Sequence, residues 1–229
     1  MNRMVNVTGY CASIMLLVTV PAQEAHDQSY SQSVTPRPPT PITYTANLGQ
    51  LDEHVSFLAE AGDVTLYFHP DGVTHLFLRD TDRPAEAYEI PFADQIDLPD
   101  KNFIRGNEKE ITVTRTRFVD ANPDPDIVGI DRQAIIKNYI IGNDPSGWHT
   151  SVPCYSAILY KDIYPGIDLK YHSQGYNVKY DYVVHPGGDI SVIKLRHEGM
   201  EALAVTTEGK LRFENNVGAI EEGLPLIFQ

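Results

Sequence analysis

A chain of 229 residues, 42% hydrophobic and 21% charged, has the make-up of an ordinary globular protein and room for one large domain or two small ones. Its 18 lysines and arginines face 31 aspartates and glutamates, a formal net charge of −13. Such a surface repels phosphate backbones and anionic lipid, which argues against nucleic acid and membrane surfaces as partners and leaves cations and basic proteins open.

In chain order, residues 1–22 read as a secretory signal peptide. Arg3 and the α-amino group form the positive end, and residues 11–20 an apolar stretch too short to cross a bilayer core of about 30 Å as a helix. Val20-Pro21-Ala22 predicts cleavage after Ala22; an uncleaved anchor is the competing reading, and Tyr10 before Cys11 opposes a lipoprotein. The expected location is therefore secreted or cell-surface, with no membrane insertion of the mature chain. Cleavage removes Cys11 and leaves Cys154 alone, so no internal disulfide forms and the hydrophobic core must hold the domain. Cys154, among apolar residues in "SVPCYSAILY", reads as a buried, inert thiol.

Residues 23–45 are rich in Gln, Ser, Thr and Pro. Pro36, Pro38, Pro39 and Pro41 favour an extended linker ahead of a domain over residues 46–229. From there the pattern is strands and turns. Residues 52–61 offer either a short helical turn or, through "VSFLAEA", an alternating strand. "VTLYFHPDGVTHLFL" (64–78) is a hairpin about His69-Pro70-Asp71-Gly72, because proline presets φ and glycine follows where the turn needs freedom. "GIDLKYH" puts Ile167, Leu169 and Tyr171 opposite Asp168, Lys170 and His172; "NVKYDYVV" puts Val178, Tyr180, Tyr182 and Val184 on one face. "ALAVTTEGKLRFEN" gives a further hairpin turning near Glu208-Gly209. No window sustains a helical repeat, and no regular internal repeat marks a propeller or solenoid within the chain. The predicted fold is all-β: an antiparallel β-sandwich, or a large two-sheet supersandwich.

Three ordered stretches carry a family likeness: "NYIIGNDPSGWHTSVPCY" from Asn138, "YKDIYPGIDL" from Tyr160 and "YDYVVHPGGD" from Tyr180. With "NLGQ" at Asn47, where Leu48 replaces an expected basic residue, they span residues 46–229. The chain thus resembles an uncharacterised N-terminal domain of large secreted bacterial proteins of Bacteroidetes and related lineages. Those proteins carry SBBP-type β-propeller repeats, or PKD-like repeats with a gliding-motility-associated sorting domain. The resemblance implies an extracellular all-β domain of unknown function with no established activity. It also implies further strands after "GLPLIFQ", so a fragment or truncated product with an open sheet edge at its C-terminus is expected.

Several constellations bear on chemistry. Asp120, Asn122, Asp124, Asp126 and Asp131 fall at positions 1, 3, 5, 7 and 12 of a twelve-residue frame, the alternation of oxygen ligands that a calcium loop needs. Pro125 in place of the bend glycine and the short Asp131 oppose it, and the same residues serve as turn formers. Asp162, Asp168 and Asp181 lie by tyrosine-rich strands, as glycosidase carboxylates would, but alternation sets Asp168 and Asp181 beside Lys170 and Lys179 as solvated pairs. Ser146 sits in no glycine elbow, and "HPGGD" at 185–189 reads as a turn. In "IGNDPSGWHT", Trp148 is expected to bury its ring and donate its N–H to a nearby carbonyl, with His149 the residue to test for exposure. No catalytic residue, metal ligand or cofactor is therefore assigned. The reading is a non-catalytic assembly, adhesion or structural module whose partner is an extracellular protein or glycan. The alternative is a carbohydrate-binding or carbohydrate-active domain.

Overall fold

The computed structural model describes residues 12–19, 41–84, 107–175, 177–215, 219–224 and 226–228. Arg3, Cys11, the cleavage site at Ala22 and the linker prolines Pro36, Pro38 and Pro39 lie outside them.

The described chain is built of strands: β1 (Ala12–Thr19), β2 (Tyr44–Ala46), β3 (Phe57–Ala61), β4 (Val64–His69), β5 (Gly72–Pro84), β6 (Asn107–Phe118), β7 (Asp126–Tyr139), β8 (His149–Tyr164), β9 (Ile167–Gln174), β10 (Asn177–Val184), β11 (Leu195–Glu198), β12 (Ala202–Val205), β13 (Leu211–Glu214), β14 (Ala219–Glu222) and β15 (Leu226–Phe228). Two single 3₁₀ turns, Pro145–Gly147 and Ile190–Val192, are the only helical elements among the described residues. Every pairing is antiparallel. The predicted all-β, sandwich-like class is what the chain adopts.

The sixteen-residue strand β8 organises the molecule. Its Tyr155 lies between Arg132 of β7 and Tyr44 of β2, while its Ala157 lies between Ile130 of β7 and His172 of β9. Hence β7 takes one edge of β8, and β2 and β9 share the other in succession. Two arms grow from that shared edge: β2-β3-β4-β5-β6-β11, and β9-β10-β1. The arms stack face to face, as two sheets with apolar inner faces must. A small sheet of β12, β13 and β14 joins through β1.

Aromatic rings fill the space between the arms. Phe68 of β4 meets Tyr171 of β9 with ring centroids 5.0 Å apart, and Tyr160 contacts Phe118 at 5.6 Å. Tyr171, Tyr180 and Tyr182 continue the series at 5.4 and 5.9 Å. The hydroxyls that reach a partner tie strands together: Tyr160 donates to the His69 carbonyl, and Tyr164 to those of Lys194 and Val119. Tyrosine is thus chiefly a core residue here, which fits a side chain with a large apolar body and one polar tip. Burial holds the phenols of Tyr160, Tyr171 and Tyr180 well above the ordinary tyrosine range.

Local expectations and structure agree closely. His69 pairs with Gly72 across the Pro70-Asp71 turn. Asp71 accepts from Arg115 at 2.9 Å and Arg117 at 2.7 Å, pinning that turn to β6. Residues 57–61 are strand, so alternation wins over the helical turn. Gly209 turns the β12–β13 hairpin at φ 82°. Two placements differ from expectation. Ile42 and Tyr44, read as the end of the linker, are buried core residues, because β2 supplies the strand that joins β3 to β8. Lys179, expected on a solvated face, is 6% exposed; it lies in register between His172 and Leu17, with a strand on each side.

Candidate functional site

Two of the family-like motifs, residues 47–50 and Trp148-His149, meet at the start of β8, whereas the turns at Gly166 and residues 185–189 meet beyond its other end. Asn47 Nδ2 donates to the carbonyls of Asp52 (2.8 Å) and Val55 (2.7 Å), and Oδ1 accepts from the amides of Gly49 (2.9 Å) and Leu51 (3.1 Å). Gln50 adds bonds to the Leu48 amide and the Ala46 carbonyl. One asparagine therefore satisfies much of a loop, 47–56, which covers a second small core of Leu51, Val55, Leu58, Tyr67 and Leu76 on the outer face of the first arm. Gly49 has φ 106°, and a Cβ there would lie 3.0 Å from the His149 ring. The asparagine-glycine motif and the tryptophan-histidine motif, about a hundred residues apart, are thus two halves of one packed corner.

Trp148 corrects an expectation. Its indole N–H does reach a carbonyl, that of Gly142 at 3.3 Å, but the ring is 39% exposed rather than buried. The loop is held from below, since Asp144 caps the 3₁₀ turn by accepting from the Ser146 amide at 2.9 Å. That bond holds the Asp144 carboxyl below its ordinary range. His149 is half-buried against Gly49.

The calcium frame does not gather. Asp120 pairs with Lys194, Asn122 accepts from the Asp124 amide, Asp126 pairs with Lys161, and Asp131 accepts from Ser156 and Gln133. Asp126 and Asp131 belong to an extended strand, which carries them apart instead of wrapping a centre. Among the described residues no group of three histidine, cysteine or acidic side chains is placed to hold a metal ion. The three candidate glycosidase carboxylates lie on neighbouring strands, and the structure pairs Asp168 and Asp181 with histidines instead of the expected lysines. Asp168 accepts from the Asp162 amide at 2.8 Å and lies 2.9 Å from His185 Nε2; Asp181 lies 3.0 Å from His172 Nε2. Cys154 is fully buried, 3.6 Å from the Thr45 hydroxyl. "HPGGD" is a turn, closed by the Gly188 amide on the His185 carbonyl.

The most chemically distinctive cluster was not legible in the sequence. Between the two arms lies a cavity of about 30 Å³, space for roughly two waters. His75, Thr116, Tyr171, Tyr180, His197 and Glu222 contribute to its lining. Glu222 is 7% exposed and accepts from the Tyr180 hydroxyl at 3.1 Å. Burial pushes its carboxyl up to about 7, with the tyrosine bond opposing in part. Burial likewise drives the His75 imidazole down to about 4, and its enclosed Nδ1 finds no partner among the described residues. His197 is lowered by the same cause; its Nδ1 lies 3.1 Å from the Thr116 hydroxyl, and its ring packs on Phe213 at 4.5 Å. The cluster can order water and hold a proton. These residues come from β5, β6, β9, β10, β11 and β14, so no local motif marks them.

Away from the core, β7 is the most exposed long strand. It pairs only with β8 among the described residues, and none of its residues is fully buried. Ile135, Ile136, Ile140, Ile141 and Trp148 are exposed on this hairpin and its tip. Charges at Asp131, Arg132 and Lys137 guard part of that edge.

Together these features define an all-β sandwich domain whose conspicuous motifs do structural work. Residues 44–229 match the family described as Domain of unknown function (DUF7948), and the chain belongs to it. Comparisons with curated proteins and with solved structures each found no match.

Proposed function

We propose that this chain is a non-catalytic module of a secreted or cell-surface bacterial protein, with an assembly, adhesion or structural role. The observation that carries this reading is the β7–β8 hairpin, where an edge strand of fourteen residues presents exposed isoleucines and the exposed Trp148. Apolar side chains beside backbone groups that have no ladder partner among the described residues make a surface suited to protein contact. The leader-like N-terminus and the acidic surface agree with export. The likeness of the "NDPSGWHT" and "YKDIYPGIDL" stretches to SBBP-repeat and gliding-motility-associated proteins supports the same placement.

Antibody labelling of intact cells and protease shaving test the location. Surface signal is expected, and confinement to the cytosol would reject it. Replacing Ile136 and Ile140 by lysine tests the role: cell association should fall several-fold with the melting temperature unchanged.

A second reading, glycan binding, is favoured by one observation: the exposed Trp148 ring, its N–H on the Gly142 carbonyl, belongs to one loop with the exposed Asn143 and Asp144. Trp148 is the sole tryptophan, so its fluorescence reports directly on polysaccharide titration. A saturable change that persists in the lysine variant would favour this second reading.

A further inference from the structure

The lane between β10 and the β14–β15 segment is filled by β1, residues 12–19. Its register sets Ala12, Ile14 and Leu16 opposite Val184, Tyr182 and Tyr180, the core-facing residues of β10. On its other side, Ser13, Ile14 and Met15 lie opposite Phe228, Ile227 and Leu226, and Val18 lies opposite Glu222. β15 pairs with β1 alone among the described residues. Yet residues 12–19 are also the apolar stretch of the leader, which cleavage after Ala22 would remove.

Departure of β1 would leave six residues of β10 without their ladder partner and uncover the core beneath Tyr180 and Tyr182. Among the described residues the two flanks do not pair with each other. β10 and β15 both run antiparallel to β1 and so parallel to each other, about 9.6 Å apart at two strand spacings. The lane has a length, a direction and a pattern: six to eight residues, antiparallel to β10, with apolar side chains at alternate positions. The segment that fits it here, "ASIMLLVT", holds no charge and no proline.

Building on the export reading, we propose that this lane is a strand-acceptor site: in the processed protein, an extended apolar segment of a partner polypeptide replaces residues 12–19. Recognition is by backbone ladder on both edges, with alternate side chains entering the core as in other strand additions.

The test starts from the full chain, folded with its N-terminus in place, carrying a specific-protease site within residues 23–40. After cleavage, a fluorescein-labelled peptide of sequence ASIMLLVT with flanking lysines is added. The expected result is uptake of label with release of the native N-terminal fragment, and a higher melting temperature with peptide than without. A peptide with aspartate at the positions of Ile14 and Leu16 should bind at least tenfold more weakly. A peptide bearing cysteine at the Ser13 position should cross-link to Val183→Cys, its register partner. Three outcomes would overturn the proposal: the fragment leaves and no peptide enters; the fragment never exchanges; or the cleaved chain closes the lane by dimerising and excludes peptide. Terminal sequencing of protein taken from cells separates the two claims. An intact Met1 would reject the export reading, while peptide exchange still reports on the lane.

Discussion

Glu222 offers the sharpest quantitative prediction. Its carboxyl is 7% exposed and has its proton held to about 7 against an ordinary 4.5. At about 1.4 kcal/mol per tenfold change, keeping Glu222 charged in the fold costs roughly 3 kcal/mol. Because the folded value is raised, the folded state binds the extra proton. The penalty is therefore absent below about pH 4.5, grows as pH rises and is complete above about pH 7. His75 and His197 act in the opposite sense. Their folded values are depressed, so their contribution is present above about pH 6.5 and lost as pH falls, for His75 towards about 4. The wild-type stability curve mixes the two, but Glu222→Gln separates them. The glutamine keeps an acceptor for the Tyr180 hydroxyl and carries no charge. Urea unfolding of both proteins across the range should give a difference near zero at about pH 4.5. It should rise to about 2–3 kcal/mol in favour of the variant at about pH 8. A difference that stays flat over that interval would refute the burial of Glu222 between the arms.

Asn47→Ala removes four short hydrogen bonds to the loop over the outer core, so a loss of about 2–4 kcal/mol is expected in chemical denaturation. Gly49→Ala should cost about 1–3 kcal/mol from its positive φ, plus the contact with His149. His149→Ala in that background should recover only the contact, and a double-mutant cycle measures the split. Trp148→Ala should change stability by less than about 1 kcal/mol, because the ring is exposed. Phe68→Ala, fully buried between the arms, should cost about 3–5 kcal/mol in the same assay.

Local order was legible where one strand or one turn decides it. The alternation in 177–184 correctly placed Val178, Tyr180, Tyr182 and Val184 in the core, and the His69-Pro70-Asp71-Gly72 turn fell where proline and glycine put it. What alternation could not supply is which strands flank a given one. Lys179 is read as polar-face by period two, yet in a strand flanked on both sides it is 6% exposed. Trp148 failed for the converse reason: aromatic size predicts burial on average, but the ring belongs to the loop at the tip of a hairpin and stays 39% exposed. The Glu222 cavity escaped notice because its polar groups come from six strands and meet only when the two arms stack. Asn47 and Gly49 were seen as a motif, but their purpose rests on His149, about a hundred residues away.

The shared edge of β8 also sets a timetable. Thr45 and Cys154, 109 positions apart, are partners across β2 and β8, so the first arm cannot seat on its organising strand until most of the chain exists. The entropy of closing so long a loop grows only with the logarithm of its length, but it must be met before any of the inter-arm aromatic contacts repay it. Folding of such non-local β topologies falls in the millisecond-to-second range. During synthesis the inner face of Tyr44 and Phe68 therefore waits uncovered, and a chain that waits in this way stays threadable through a narrow passage for longer than one built from local contacts.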